Sequence, residues 1–151
     1  MDLLQDLPLL MPSAIAWAET CAREVAERGS PLSEAELAIA RAVGVAKPEL
    51  IRIATVERLP LPEESQLRAA AVQTGLLGPN MVGLTLGYSV YICRGHRTRR
   101  LLSHEFRHVH QYEQHGSIAA FLPVYLKQIV EVGYAGAPLE QDARAHEMLD
   151  T

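Results

Sequence analysis

The residues best suited to chemistry lie together at His104-Glu105-Phe106-Arg107-His108, an H-E-x-x-H pentad. On a helix, residues i and i+4 share a face, so His104 and His108 can present their imidazoles to one metal ion. Glu105 is rotated to the side, within reach of a water on that metal rather than of the metal itself. Two zinc ligands and a general base thus come from little more than one helical turn. Two histidines alone would read as packing or surface residues. The glutamate beside the first of them favours an enzyme, because a purely structural zinc needs no base next to it.

A catalytic zinc usually takes three protein ligands and keeps one position open. The nearby histidines do not supply the third. In the longer pattern H-E-x-x-H-x-x-G-x-x-H, the last two marked positions are here Gln111 and Gln114. His115 follows His108 by about 10 Å along the helix axis, too far to share an ion with bonds of about 2 Å. Acids on later elements remain, chiefly Glu131, Glu140 and Asp142. Glu140 stands two residues after Pro138, in the first turn of a final helix, where the helix dipole favours a carboxylate. Arg144, at i+4, can hold it. Glu140 is the preferred ligand, with Asp142 and Glu131 open as alternatives.

With His104, Glu105 and His108 followed by Pro138-Leu139-Glu140-Gln141-Asp142-Ala143, the chain resembles the gluzincin metallopeptidases. These are zinc hydrolases whose third ligand is a glutamate on a downstream helix. The resemblance covers Ile51 to Leu149. One departure is Arg144, which stands where the family commonly has an aspartate four residues after the glutamate. The resemblance implies an α+β, small zincin-like domain: a short, mostly antiparallel sheet packed on the H-E-x-x-H helix, with added N- and C-terminal helices. It also implies one Zn2+ ion and hydrolysis of peptide bonds.

In that chemistry zinc brings the pKa of its water near 7, and Glu105 takes the proton and later passes it to the leaving amine. The oxyanion needs a further donor. Tyr134, in a glycine-flanked loop before Glu140, is the preferred one, with Tyr112 or a histidine as alternatives. Asp142 is expected to hydrogen-bond the outer nitrogen of a ligand histidine. A zincin binds its peptide along an edge strand by main-chain pairing, here Met81 to Leu86. The competing reading is a catalytically inactive zinc-binding scaffold or interaction module of the same fold.

The surrounding elements must place these groups. Thr98 is a candidate N-cap for the motif helix, which runs to Gln114 or His115 and stops at Gly116. Leu101, Leu102, Phe106, Val109 and Tyr112 can pack it into a core. Two strands, Met81–Leu86 and Ser89–Cys93, read as a hairpin around Gly87-Tyr88. Gly83 within the first marks a bulge or a close backbone approach. Ile51–Val56 alternates as a third strand. Upstream, the apolar Leu3–Met11 contains Pro8 and reads as an extended arm. A helix capped by Ser13 follows to about Arg28, and a second begins with the Ser33/Glu36 capping box. Ser117 to Val132 is helical in pattern, Gly133–Pro138 reads as a loop, and the final helix runs from Leu139 to Leu149.

The whole chain, 1–151, reads as one domain: an N-terminal helical part over 1–46 and a sheet and metal-site core over 47–151. A hydrophobic content of 48% with 21% charged residues suits a soluble globular protein. Cys21 and Cys93 form no C-x-x-C pattern and read as reduced, buried residues. The N-terminus lacks a basic secretory region, and no apolar run of about 18 residues stands out, so a cytoplasmic protein without a membrane role is expected. Arg94, Arg97, Arg99 and Arg100 form a basic loop. The net charge of −4, with no aromatics among these arginines, argues against nucleic acid and for a solvated loop or a clamp on acidic substrate groups. The expected partner is a peptide or protein substrate; the oligomeric state stays open.

Overall fold

The computed structural model describes residues 2–150 and is α+β, with six helices and a three-stranded mixed sheet. The first helix, α1, runs from Leu3 to Arg28, capped by Asp2, whose side chain accepts from the Gln5 amide. This replaces the expected extended arm and the cap at Ser13. Pro8 and Pro12 lie inside the helix but on its exposed face, where the carbonyls they leave unpaired meet water. The opposite stripe, Leu10, Ala14, Ala18, Cys21 and Val25, is buried at three- and four-residue spacing. Burial of that stripe outweighs the local preference of the prolines.

Helix α2, Glu34–Ala42, starts in the predicted capping box: the Glu36 amide donates to Ser33 Oγ, and the Ser33 amide donates to Glu36 Oε1. Strand β1 is Arg52–Val56, α3 is Ser65–Gln73, β2 is Gly83–Leu86 and β3 is Ser89–Cys93. The hairpin turns at Gly87, whose φ of 69° suits glycine. The sheet order is β1-β3-β2. β3 runs antiparallel to β2 but parallel to β1, so the sheet is mixed rather than mostly antiparallel. A further antiparallel bridge joins Ser30 to Ile53. β2 neighbours β3, as the hairpin reading requires, and lies at the sheet edge, as expected of Met81–Leu86.

Central β3 is buried along its whole length and divides two cores. Val90 and Ile92 point with Ile51 and Ile53 toward α2 and the motif helix α4, Arg99–His115. Tyr91 points with Leu86 toward α1 and α5, Ile118–Gly136. The N-terminal helices therefore cover opposite faces of the sheet. α4 is seated by Leu102, Phe106 and Val109, spaced i, i+4, i+7; Phe106 and Val109 are fully buried. It begins at Thr98, which accepts from the Leu101 amide, and ends at Gly116 in the left-handed region, φ 91°. Both caps match the sequence reading.

Pro123 lies within α5, and the helical angles break instead at Gly133, φ 80° and ψ 166°. The expected loop is thus one break followed by another helical turn. By length and mean hydropathy, 1.2, α5 meets the membrane-span criterion that no segment was expected to meet. It carries Lys127 and Glu131 and packs on α1, α4 and α6. α6, Pro138–Ala145, has Pro138 at its first position and ends short of Leu149. The segment after it turns back over the start of α4. There the Met148 amide donates to Ser103 Oγ, and the Arg100 amide donates to Asp150 Oδ1.

Candidate metal centre

α4 turns one face into the core and the next toward α6. On that second face His104 and His108 lie one turn apart, their ring centroids separated by 5.1 Å. Glu140, in the first turn of α6, meets both: Nε2 of His104 lies 3.0 Å from Oε1, and Nε2 of His108 lies 2.9 Å from Oε2. One ligand atom from each residue falls within 4.8 Å of the others, and all three residues are buried. Of Glu131, Glu140 and Asp142, Glu140 alone meets both histidines. Glu131 is exposed and paired with Lys127 at 3.8 Å, and Asp142 is bound to Arg107. Arg144 does not hold Glu140 as expected; it donates to the carbonyl of Ala135.

The outer nitrogens are fixed by residues that the sequence reading did not place there. His104 Nδ1 donates to Glu147 Oε2 at 2.8 Å, from beyond the end of α6. His108 Nδ1 donates to Gln111 Oε1, also at 2.8 Å. The Gln111 amide orientation follows from its other bonds, because its Nε2 donates to the Leu139 carbonyl and to Asp142 Oδ2. Asp142 therefore acts on His108 through Gln111, not directly as expected. It also takes both arms of Arg107. With each Nδ1–H committed outward, each Nε2 faces Glu140. Tyr125, on α5, donates to Glu140 Oε2 at 2.8 Å. The i+3 spacing of Gln111 from His108 was the one local signal for these partners; Glu147 and Tyr125 arrive through tertiary folding alone.

The electrostatics follow from this packing. Burial opposes charging of His104, but its hydrogen bond to Glu140, the Glu105 and Glu140 charges and the bond to Glu147 prevail, raising its pKa to about 9. His108 is raised against its burial by Glu140 and Glu105. Burial pushes the Glu140 carboxyl up, yet the hydrogen bonds from both histidines hold it well below the usual carboxylate range. The buried Glu140 carboxylate demands positive charge beside it. Protons on the two imidazoles supply it, and one divalent cation would supply it in their place. Zinc bonds of about 2.0–2.2 Å in a tetrahedron set ligand atoms about 3.4 Å apart, within the 4.8 Å that bounds the three donor atoms here. Two imidazoles and one carboxylate fit zinc in donor type and number.

Glu105 is buried but outside the donor set. Its Oε1 accepts from Thr85 Oγ1 on β2 at 2.8 Å, and its carboxylate lies against Gly83. The close backbone approach expected at Gly83 is thus made by the motif glutamate. No family model, curated protein or solved structure matches this chain.

The donors lie in the wall between two hollows. One is apolar, enclosed by α1, α3 and α5, and reaches Glu105, His108, Tyr134 and Glu140. The other is mixed, bounded by Asn80, Thr98, Arg100 and Glu147 together with Met81, Val82 and Leu101, and reaches His104, Glu105 and Tyr134. Glu105 and Tyr134 border both. Burial and then the carboxylates of Glu140 and Glu105 raise the Tyr134 phenol, keeping its proton available for donation. Tyr112 is buried against Phe121, with ring centroids 3.9 Å apart, and serves packing. The basic loop does not form a free clamp. Arg94 pairs with Glu57, Arg97 with Glu36 and Arg100 with Glu147.

Proposed function

We propose that this chain is a zinc-dependent metallopeptidase of gluzincin type, with a zincin-like site that hydrolyses an amide bond. The observation that carries the reading is the convergence of His104, His108 and Glu140 beside a buried Glu105 that is not itself one of the donors. His104, His108 and Glu140 would hold one Zn2+ ion. Zinc held there would supply a Lewis acid that brings the pKa of water toward 7.

Glu105 takes a proton from the attacking water and delivers it to the amine nitrogen as the carbon–nitrogen bond breaks. Thr85 fixes one carboxylate oxygen, leaving the other to carry the proton. Tyr134, at the border of both hollows, donates to the oxygen that gains charge in the tetrahedral state. The free edge of β2, beside Glu105, offers main-chain groups to an extended substrate.

A second reading, a zinc-binding scaffold without turnover, draws support from one observation. Among the described residues no buried side-chain polar atom lacks a partner, so the three donors satisfy one another as they stand.

Metal analysis and peptide-library cleavage separate the readings. The purified protein should carry about one equivalent of zinc, lost in His104→Ala and Glu140→Ala. Glu105→Gln should keep zinc and lose turnover by about 100-fold or more. Zinc retained by Glu140→Ala rejects the ligand set. Turnover unaltered in Glu105→Gln rejects the mechanism, and zinc without any turnover in the unaltered protein favours the scaffold.

A further inference from the structure

We propose that the apolar hollow beside the site receives a long unbranched alkyl chain on the acyl side of the scissile amide, making the substrate an N-acylated amine or peptide. The inference rests on the hydrolase reading above and names its substrate class.

Length is the first argument. One stripe of α1 walls the hollow from Leu3 through Leu7, Leu10 and Ala14 to Ala18. At 1.5 Å per residue that wall is about 22 Å long. α3 and the later turns of α5 face it across the hollow. A single leucine or phenylalanine side chain would span only a part of that length.

Polarity is the second. Away from the site end, the polar side-chain atoms on the wall are the Thr74 hydroxyl and the Trp17 indole N–H. Thr74 already donates to the Ala70 carbonyl at 2.8 Å. β2, with Gly83 and Thr85 against Glu105, borders the site end; beyond it, between α1, α3 and α5, an extended peptide would bring amide groups against helix side chains that leave them unpaired, at a cost in affinity. A methylene chain carries no such groups and gains by every carbon that leaves water.

The second hollow fixes the orientation. Its polar rim, with Asn80, Thr98, Arg100 and Glu147, lies on the His104 side of Glu105 and suits the amine portion. In the reaction the water oxygen bonds to the acyl carbon and the carbon–nitrogen bond breaks. The water proton passes through Glu105 to nitrogen, and a long-chain carboxylate and a free amine leave.

Alkanoyl hydroxamates of two, four, eight and twelve carbons test this on the zinc-loaded protein, read by calorimetry and by Trp17 emission. Trp17 is the chain's one tryptophan and lines the hollow. Affinity should rise about threefold or more per methylene beyond four carbons, and the longer members should shift Trp17 emission. Ala71→Phe, which places a ring in the hollow from α3, should abolish that rise and leave acetohydroxamate binding unchanged. An affinity that levels off at four carbons, or a Trp17 signal indifferent to the twelve-carbon member, overturns the inference and leaves the hydrolase reading standing. Dodecanoate added to metal-free protein reads the hollow separately: it should shift Trp17 emission, and no shift counts against the inference. Failure to bind zinc and acetohydroxamate defeats the hydrolase reading itself.

Discussion

Gly83 and Glu105 compete for the same space: a Cβ built on Gly83 would lie 3.0 Å from both the carboxylate carbon and Oε2 of Glu105. The edge strand thereby forms one wall of the slot that holds Glu105, the proposed base, while Thr85, two residues on and on the same strand face, anchors its other oxygen. Gly83→Ala should push the carboxylate aside by a few tenths of an ångström without touching the three metal donors. The expected outcome is turnover reduced by about 10- to 100-fold with zinc content unchanged, measured by steady-state kinetics beside metal analysis. Full activity in Gly83→Ala would mean that the strand does not position the base.

The outer hydrogen bonds to the histidines give a second prediction. Glu147 and Gln111 each fix one ring, and neither is placed to bind the metal. Glu147→Ala and Gln111→Leu should each weaken zinc binding by about 10- to 100-fold in a competition assay with a chromophoric chelator. Glu131→Ala, a change at an exposed acid on α5, should leave the affinity where it was. Equal zinc affinity in all three proteins would refute the assignment of Glu147 and Gln111.

Two tyrosines near Glu140 should separate by assay. Tyr125 donates to Glu140 at 2.8 Å and so acts on the metal site. Tyr134 borders both hollows beside Glu105, where the proposed mechanism has it donate to the substrate. Tyr134→Phe should lower kcat by about 100- to 1000-fold with zinc retained. Tyr125→Phe should chiefly reduce zinc affinity. The reverse pattern would exchange their roles.

The legible parts of this molecule are those that local chemistry determines. Helical spacing put His104 and His108 on one face, and Thr98 and Gly116 marked the ends of their helix. The Ser33/Glu36 box was readable because both bonds close within three residues. Glu140 could be favoured from its place after Pro138, but its contact with both histidines depends on how α6 packs against α4. Glu147 was harder still, since it reaches His104 only because the chain after α6 folds back over Ser103. The prolines of α1 misled for the converse reason. Local rules break a helix there, while the buried stripe that overrides them is a property of the whole fold. The parallel pairing of β1 with β3 likewise depends on the long connection through α3, which carries no register signal of its own.

The last prediction concerns stability rather than chemistry. Arg97, just ahead of α4, donates to both oxygens of Glu36 in α2, at 2.7 and 2.8 Å. The pair ties the start of the motif helix to the helix that covers the same core. The bond from Arg97 holds the Glu36 carboxyl below its ordinary range; burial opposes this, and the Ser33 amide adds to it. A carboxyl whose folded pKa is depressed contributes stability above its unfolded value, about 4.3, and that contribution fades as pH falls through the folded pKa. Glu36→Gln keeps the capping bond but removes the charge. At pH 7 the variant should be about 1 kcal/mol less stable, a Tm lower by about 2–4 °C. In acid the difference should shrink progressively below about pH 4 and vanish once Glu36 is protonated in the folded protein. Melting curves of both proteins across that range, followed by circular dichroism, provide the check. A difference that persists at the acid end would show that Glu36 acts through packing and not through its charge.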